Sequence, residues 1–183
     1  MKPRVVFVHT VYGLKPVFDE TLRRFCPEVD TFHIADETLI HSILAAGGVT
    51  PQIQARLREN VQAADRFGAT AIQVTCSTVS SCLGGRGSQL KARLLSIDEP
   101  MAEEAVTRFQ RIGVIATNPA TLRPSTGLVA ATAKRLGRAV HVESSLCEGA
   151  YAALLAGNVA EHDRIVKGHL ATLARSVEVV LLA

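Results

Sequence analysis

Thr75-Cys76-Ser77-Thr78 puts one nucleophilic sulfur among three hydroxyl groups at the end of a short apolar run, Ala71-Ile72-Gln73-Val74. Cysteine reacts as its thiolate. A thiol at the carboxyl end of a strand, just before a helix starts, faces the positive end of that helix's dipole, which favours the anion. Two further runs end in the same way. Arg4-Val5-Val6-Phe7-Val8 leads into His9-Thr10, and Arg111-Ile112-Gly113-Val114-Ile115-Ala116 leads into Thr117-Asn118-Pro119-Ala120-Thr121. Polar side chains and helix-start amides at strand ends suit a small carboxylate, because ligands of open parallel sheets bind beyond the carboxyl edge. Each group also has a plain structural role. Cys76 would be a buried strand-end thiol, His9 a hydrogen-bonded structural histidine, and each threonine a turn cap.

Composition removes several other functions. With 48% hydrophobic residues the chain can bury a sizeable core, and with 4% aromatics it lacks stacking platforms for single-stranded nucleic acid. Its formal charge of +3 is spread thinly, and Arg56/Arg58 and Lys134/Arg135/Arg138 fall at helical spacing as solvated faces, so no nucleic-acid partner is expected. The four cysteines form no CxxC and the six histidines no HExxH, so no metal is expected. Gly84-Gly85-Arg86-Gly87 lacks the Lys-Ser/Thr ending of a phosphate loop and reads as plain loop. A cysteine-phosphatase loop requires Arg six positions after its nucleophile, where this chain has Cys82. The apolar run after Met1-Lys2-Pro3-Arg4 ends at Val8, too short for a signal peptide, and no stretch reaches membrane-span length. A cytoplasmic protein with reduced thiols is expected.

Strands and helices alternate along the chain. Strands are expected at 4–9, 29–34, near 71–75, and at 93–97, 111–116, 139–143 and 177–183. Helices are expected over 16–25, after Asp36, from Thr50-Pro51 to Gly68, from Asp98 to about Phe109, from about Ser125 to Gly137, and from the capping box Asn158-Val159-Ala160-Glu161 to about Ser176. Val79–Ser88 and Ser144–Gly149 read as loop and turn. Sliding the chain on itself by 107 residues, without a gap, lays Arg4–Thr10 on Arg111–Thr117, the Thr50 helix on that near Asn158, and Cys76 on Ala183. Such a repeat implies two like halves, 1–97 and 98–183. Each would be a doubly wound, mainly parallel α/β lobe, with an active-site cleft between the two.

Ala69-Thr70-Ala71-Ile72-Gln73-Val74-Thr75-Cys76-Ser77-Thr78, taken with Gly113-Val114-Ile115-Ala116-Thr117-Asn118-Pro119-Ala120-Thr121, resembles the aspartate/glutamate/hydantoin racemase superfamily, which also includes arylmalonate decarboxylase and maleate isomerase. The resemblance covers essentially the whole chain. It implies cofactor-independent, pyridoxal-free chemistry on a small carboxylate, amino acid or hydantoin, with a thiolate removing the proton α to the carboxylate. Cys76 matches the first-lobe cysteine. Thr75, Ser77 and Thr78 match positions that contact the substrate carboxylate, as do Thr10, Thr117 and Thr121; Asn118, next to Thr117, is a further candidate from its place at the end of a strand. His9 is an accessory candidate as an electrostatic partner of Cys76.

The superfamily's second cysteine falls at or next to Ala183, so either that partner is replaced or the protein continues beyond Ala183. Cys147 follows a different strand and matches a non-catalytic position. Two other readings stay open: a catalytically degenerate paralogue that binds a small carboxylate, and a one-thiol decarboxylase or cis-trans isomerase. The expected partners are a small-molecule substrate and, optionally, further copies of the chain.

Overall fold

The computed structural model describes residues 2–80, 82 and 89–183, so the Gly84-Gly85-Arg86-Gly87 loop lies outside the described residues. The chain divides into two compact units, Met1–Ile97 and Asp98–Ala183, each built on its own parallel sheet. The class is α/β, with helices flanking both sheets.

In the first unit β1 (Arg4–His9), β2 (Asp30–Ala35), β3 (Ala71–Val74) and β4 (Arg93–Ser96) pair in the order β2-β1-β3-β4. β1 lies between two neighbours, and a central strand of a covered parallel sheet has no polar face to offer. Accordingly Val6, Phe7 and Val8 are all at most 3% exposed. Helix α1 (Lys15–Phe25) connects β1 to β2, and α2 (Glu37–Ala46) with α3 (Pro51–Arg66) carries the chain back across β1 to β3. These connections run in opposite senses, so right-handed crossovers place them on opposite faces of the sheet.

Helix α3 forms where its signals agree. Thr50 Oγ1 accepts the Ile53 N–H at 3.3 Å, Pro51 takes the first turn, and Ile53, Leu57, Val61 and Ala64 make the buried stripe. The cap contributes about 1 kcal/mol and each large buried side chain roughly 1.5–3 kcal/mol. Gly47 ends α2 at φ +68°, a left-handed conformation that a Cβ disfavours. Asp36 occupies the N-cap position of α2, yet its carboxylate does not cap. It accepts from Thr38 Oγ1, from Arg56 Nε at 2.7 Å and from Asn60 Nδ2 at 2.9 Å.

In the second unit β5 (Arg111–Ala116), β6 (His141–Leu146) and β7 (Val179–Leu182) pair in the order β6-β5-β7. Ile112 and Val114 join one apolar cluster with Val106 of α5 (Glu99–Arg108) and Val129 of α6 (Pro119–Arg135). Ile115 points the other way, into a cluster with Cys147, Ala150 of α7 (Ala150–Leu155) and Leu173 of α8 (Val159–Leu173). Alternate strand residues thus serve two helical layers. At Gly113 the backbone of β5 comes so close to α8 that an added Cβ would lie 2.7 Å from Leu173 Cδ2.

Two elements of the second unit differ from expectation. Helix α6 begins at Pro119, not near Ser125, because Asn118 Oδ1 caps it by accepting the Ala120 N–H at 2.9 Å. Pro124 therefore lies inside the helix, where it forfeits one backbone bond without ending it. The strand expected at 139–143 is β6, which runs on through Ser144 and Ser145 to Leu146 and pairs with β5 along its whole length. The hydroxyl of Ser145 stays satisfied on the sheet, 2.7 Å from His169 Nδ1.

The repeat is real in topology but not gapless. Val8 accepts from Thr75 N, and Ile115, which stands 107 residues later, accepts from Ala183 N, which stands 108 after Thr75. Opposite β1 and β5, β2 and β6 are 111 apart in the same register, since Arg4 pairs with Asp30 and Arg111 with His141. Ala183 is therefore the counterpart of Thr75 and not of Cys76. Loop lengths differ between the halves, and strand pairing tolerates this because only the registers must match.

Candidate active site

Two adjacent strands of the first unit, β1 and β3, lead out to connections that diverge. Connections that diverge in this way mark the usual ligand position of open α/β sheets, at the carboxyl ends of the strands. His9 closes β1 and Thr10 follows it; Thr75 and Cys76 follow β3 directly. Ser77 and Thr78 begin α4 (Ser77–Ser80). The fold thus gathers six of the candidate residues at one edge of one sheet. His9, Thr10, Thr75 and Thr78 are buried there, while Cys76 keeps partial exposure.

The Cys76 carbonyl accepts from Val79 N at 3.3 Å, from Ser80 N at 3.0 Å and from Ser80 Oγ at 2.6 Å. Cys76 therefore starts the helical turn, as its spacing implies. The turn comprises four residues among those described, so Val79 and Ser80 are helical and not loop, and the aligned dipoles facing Cys76 are those of a single turn.

His9 departs from the expected role. Its Nδ1 lies 2.9 Å from Thr75 Oγ1 and its Nε2 2.8 Å from His33 Nδ1, so both ring nitrogens are engaged by groups other than the Cys76 sulfur. The line continues through His33 Nε2, 2.9 Å from Asp19 Oδ1, and Asp19 is ion-paired with Lys15 one turn earlier on α1. The imidazoles lie edge to edge, with centroids 5.1 Å and planes 10° apart; Phe7 lies 5.2 Å from His33, and Phe18 5.5 Å from His9. Burial, then the nearby His33, lower the His9 pKa to about 4, and Lys15 adds to this while Asp19 opposes it. Hydrogen bonds from Lys15 and His33 bring Asp19 down to about 2.

Lys15, Asp19 and His33 were not among the sequence candidates. One signal was available: in β2 the inward positions Thr31 and His33 are polar, while Phe32 faces outward at 37% exposure.

In the second unit Thr117, Asn118 and Thr121 occupy the carboxyl end of β5 and the first turn of α6. The side-chain oxygen of Asn118 is committed to capping. Cys147 is fully buried among apolar groups, and burial pushes its thiol pKa up, which keeps it a neutral core residue. All four cysteines are free. Among the described residues no group of three His, Cys, Asp or Glu side chains is placed to hold a metal ion, and no helix is long and apolar enough to cross a membrane.

No protein-family model and no curated protein matches the sequence. Solved structures do match the fold. Glutamate racemase isoform RacE1 from Bacillus anthracis superposes with a TM-score of 0.74 at 19% identity, covering 100% of this chain and 68% of that one. Glutamate racemase from Francisella tularensis, in complex with D-glutamate, gives 0.68 at 15% identity over 98% of this chain and 67% of that one. The Thermus thermophilus glutamate racemase, in complex with β-chloro-D-alanine, gives 0.67 at 18% identity over 97% and 75%. The two helix-flanked parallel sheets described above thus belong to a chain that shares the fold of these glutamate racemases.

Proposed function

We propose that this chain is a cofactor-independent racemase or isomerase in which Cys76, as thiolate, exchanges a proton with the α-carbon of a small amino acid or related carboxylate. The observation that carries this reading is Cys76 itself: a partly exposed thiol at the switch-point edge of a sheet with this fold, with Thr10, Thr75, Ser77 and Thr78 beside it in sequence and topology. An α-proton is weakly acidic, so its removal needs a base held out of bulk water and donors for the charge that develops on the carboxylate. Sulfur supplies the first. The hydroxyls of Thr10, Ser77 and Thr78 supply the second, while the Thr75 hydroxyl is committed to His9 and the Val8 carbonyl; Thr117, Asn118 and Thr121 are proposed as carboxylate-binding groups of the second unit. The amino-acid ligands of the two racemase complexes, D-glutamate and β-chloro-D-alanine, support an amino acid as the substrate class.

The test is α-proton exchange in heavy water, followed by proton NMR across amino acids, hydantoins and substituted malonates. The native chain is expected to exchange at least one of them, and Cys76→Ser is expected to lose that exchange by about a thousandfold or more. Undiminished exchange in Cys76→Ser refutes the assignment.

A further inference from the structure

The line from Lys15 to Thr75 is not a requirement of the sheet that contains it. The second unit builds the same arrangement with Ala116 where β1 has His9, Ser144 where β2 has His33, and Ala183 where Thr75 stands. Two imidazoles in sequence, both largely desolvated and joined nitrogen to nitrogen, form an arrangement that can pass a proton without moving a heavy atom.

We propose that Asp19, His33 and His9 form a proton relay ending on the Thr75 hydroxyl, next to Cys76 in the chain, and that His9 and His33 are positioning residues for the chemistry assigned to that thiol. This rests on the reading of Cys76 given above.

The hydrogen bonds admit two polarities. In the first, His33 is neutral and donates from Nε2 to the Asp19 carboxylate; His9 donates from Nε2 to His33 Nδ1, and Thr75 donates to His9 Nδ1. In the second, one further proton has entered. It binds Thr75 Oγ1, whose original O–H bond breaks as His9 gains Nδ1–H. The Nε2–H bond of His9 then breaks as His33 gains Nδ1–H. His33 ends as an imidazolium against the Asp19 carboxylate. His9 remains neutral with its proton on the other nitrogen, and Thr75, still a hydroxyl, turns its new hydrogen to the Val8 carbonyl 3.3 Å away.

Every ring nitrogen is satisfied in both states. A proton taken up at Thr75 can thus be held on His33 and returned along the same line. Among the described residues, the charged and titratable groups facing the pair are Asp19 and Lys15, both from α1. Burial opposes charge on His9, so the positive charge belongs on His33.

Long-range proton–nitrogen NMR of the uniformly labelled chain, titrated from about pH 8 to about pH 5, tests this. Across the titration His9 is expected to stay neutral while its hydrogen moves from Nε2 to Nδ1, and Asp19→Asn is expected to abolish that change. A His9 tautomer that stays fixed through the titration, or a His9 that becomes charged, overturns the relay.

Any low-pH limb of α-proton exchange in the native chain should shift in Asp19→Asn, and a limb that stays in place in that variant also overturns the relay. A native chain that shows the tautomer change but exchanges no substrate refutes the racemase reading and leaves the relay standing.

Discussion

A buried neutral histidine makes a folded protein sensitive to mild acid, and His9 allows the effect to be worked out. It has no solvent exposure, and burial with the adjacent His33 lowers its pKa from 6.5 to about 4. Between those two values the unfolded chain accepts a proton that the folded chain refuses. The stability due to His9 is therefore complete above pH 6.5 and is lost as the pH falls towards 4. At about 1.4 kcal/mol per pH decade, the loss from this residue is about 2 kcal/mol at pH 5 and about 3 kcal/mol at pH 4. That is a large share of a typical stability of about 5–15 kcal/mol. The depressed carboxylates act elsewhere, since Asp19 and Asp36 lose their contributions between pH 3.8 and about 2. Urea unfolding followed by far-ultraviolet circular dichroism, at neutral pH and near pH 5, should show the native chain losing about 2 kcal/mol more than His9→Gln. Any constant cost of the substitution cancels in that difference. Equal pH dependence in the two proteins, within about 0.5 kcal/mol, would refute the reasoning.

Two further outcomes follow from single contacts. Gly113→Ala places a Cβ 2.7 Å from Leu173 Cδ2 and should cost about 1–3 kcal/mol in chemical denaturation, with Gly113→Ala/Leu173→Ala recovering part of the overpacking term. Burial raises the Asp36 pKa, but hydrogen bonds from Thr38, Asn60 and Arg56 outweigh it and leave the carboxyl at about 2. Asp36→Asn should therefore cost about 1–3 kcal/mol at neutral pH and abolish that share of the acid transition between pH 3.8 and 2; an unchanged transition counts against the network.

Local patterns were legible in the sequence, and long-range pairings were not. β1 and β5 fall at Arg4–His9 and Arg111–Ala116 as read, because central strands are unbroken apolar runs closed by polar residues. The start of α3 was equally plain, with an N-cap threonine and a first-turn proline. Where two local signals competed, the reading failed. The helix expected from about Ser125 begins at Pro119, behind the Asn118 cap, and the turn expected over Ser144–Gly149 gives way at its start to β6, which continues through both serines. The strand-end placement of His9, Thr10, Thr75, Cys76, Ser77 and Thr78 could be read because they close or follow the apolar runs of β1 and β3. The partners of His9 could not, since Thr75 is 66 residues away, His33 is 24 away, and Asp19 lies a further 14 from His33 on another element.

The gapless comparison of the two halves also misassigned a residue at the site itself. A constant offset placed Cys76 on Ala183, whereas the backbone bonds place Thr75 there. The difference is one residue, and it matters because successive strand residues face opposite sides of a sheet. With the register corrected, the two carboxyl edges are built alike and furnished differently. One has His9, His33 and Thr75; the other has Ala116, Ser144 and Ala183 at the same places. Burying imidazoles costs desolvation that alanine avoids, and hydrogen bonds between the buried groups return only about 1 kcal/mol each. The second unit demonstrates that this topology closes without that cost. A purely architectural role therefore explains Ala116 and leaves His9 unexplained, whereas a role in moving or holding a proton at the Thr75–Cys76 edge accounts for both.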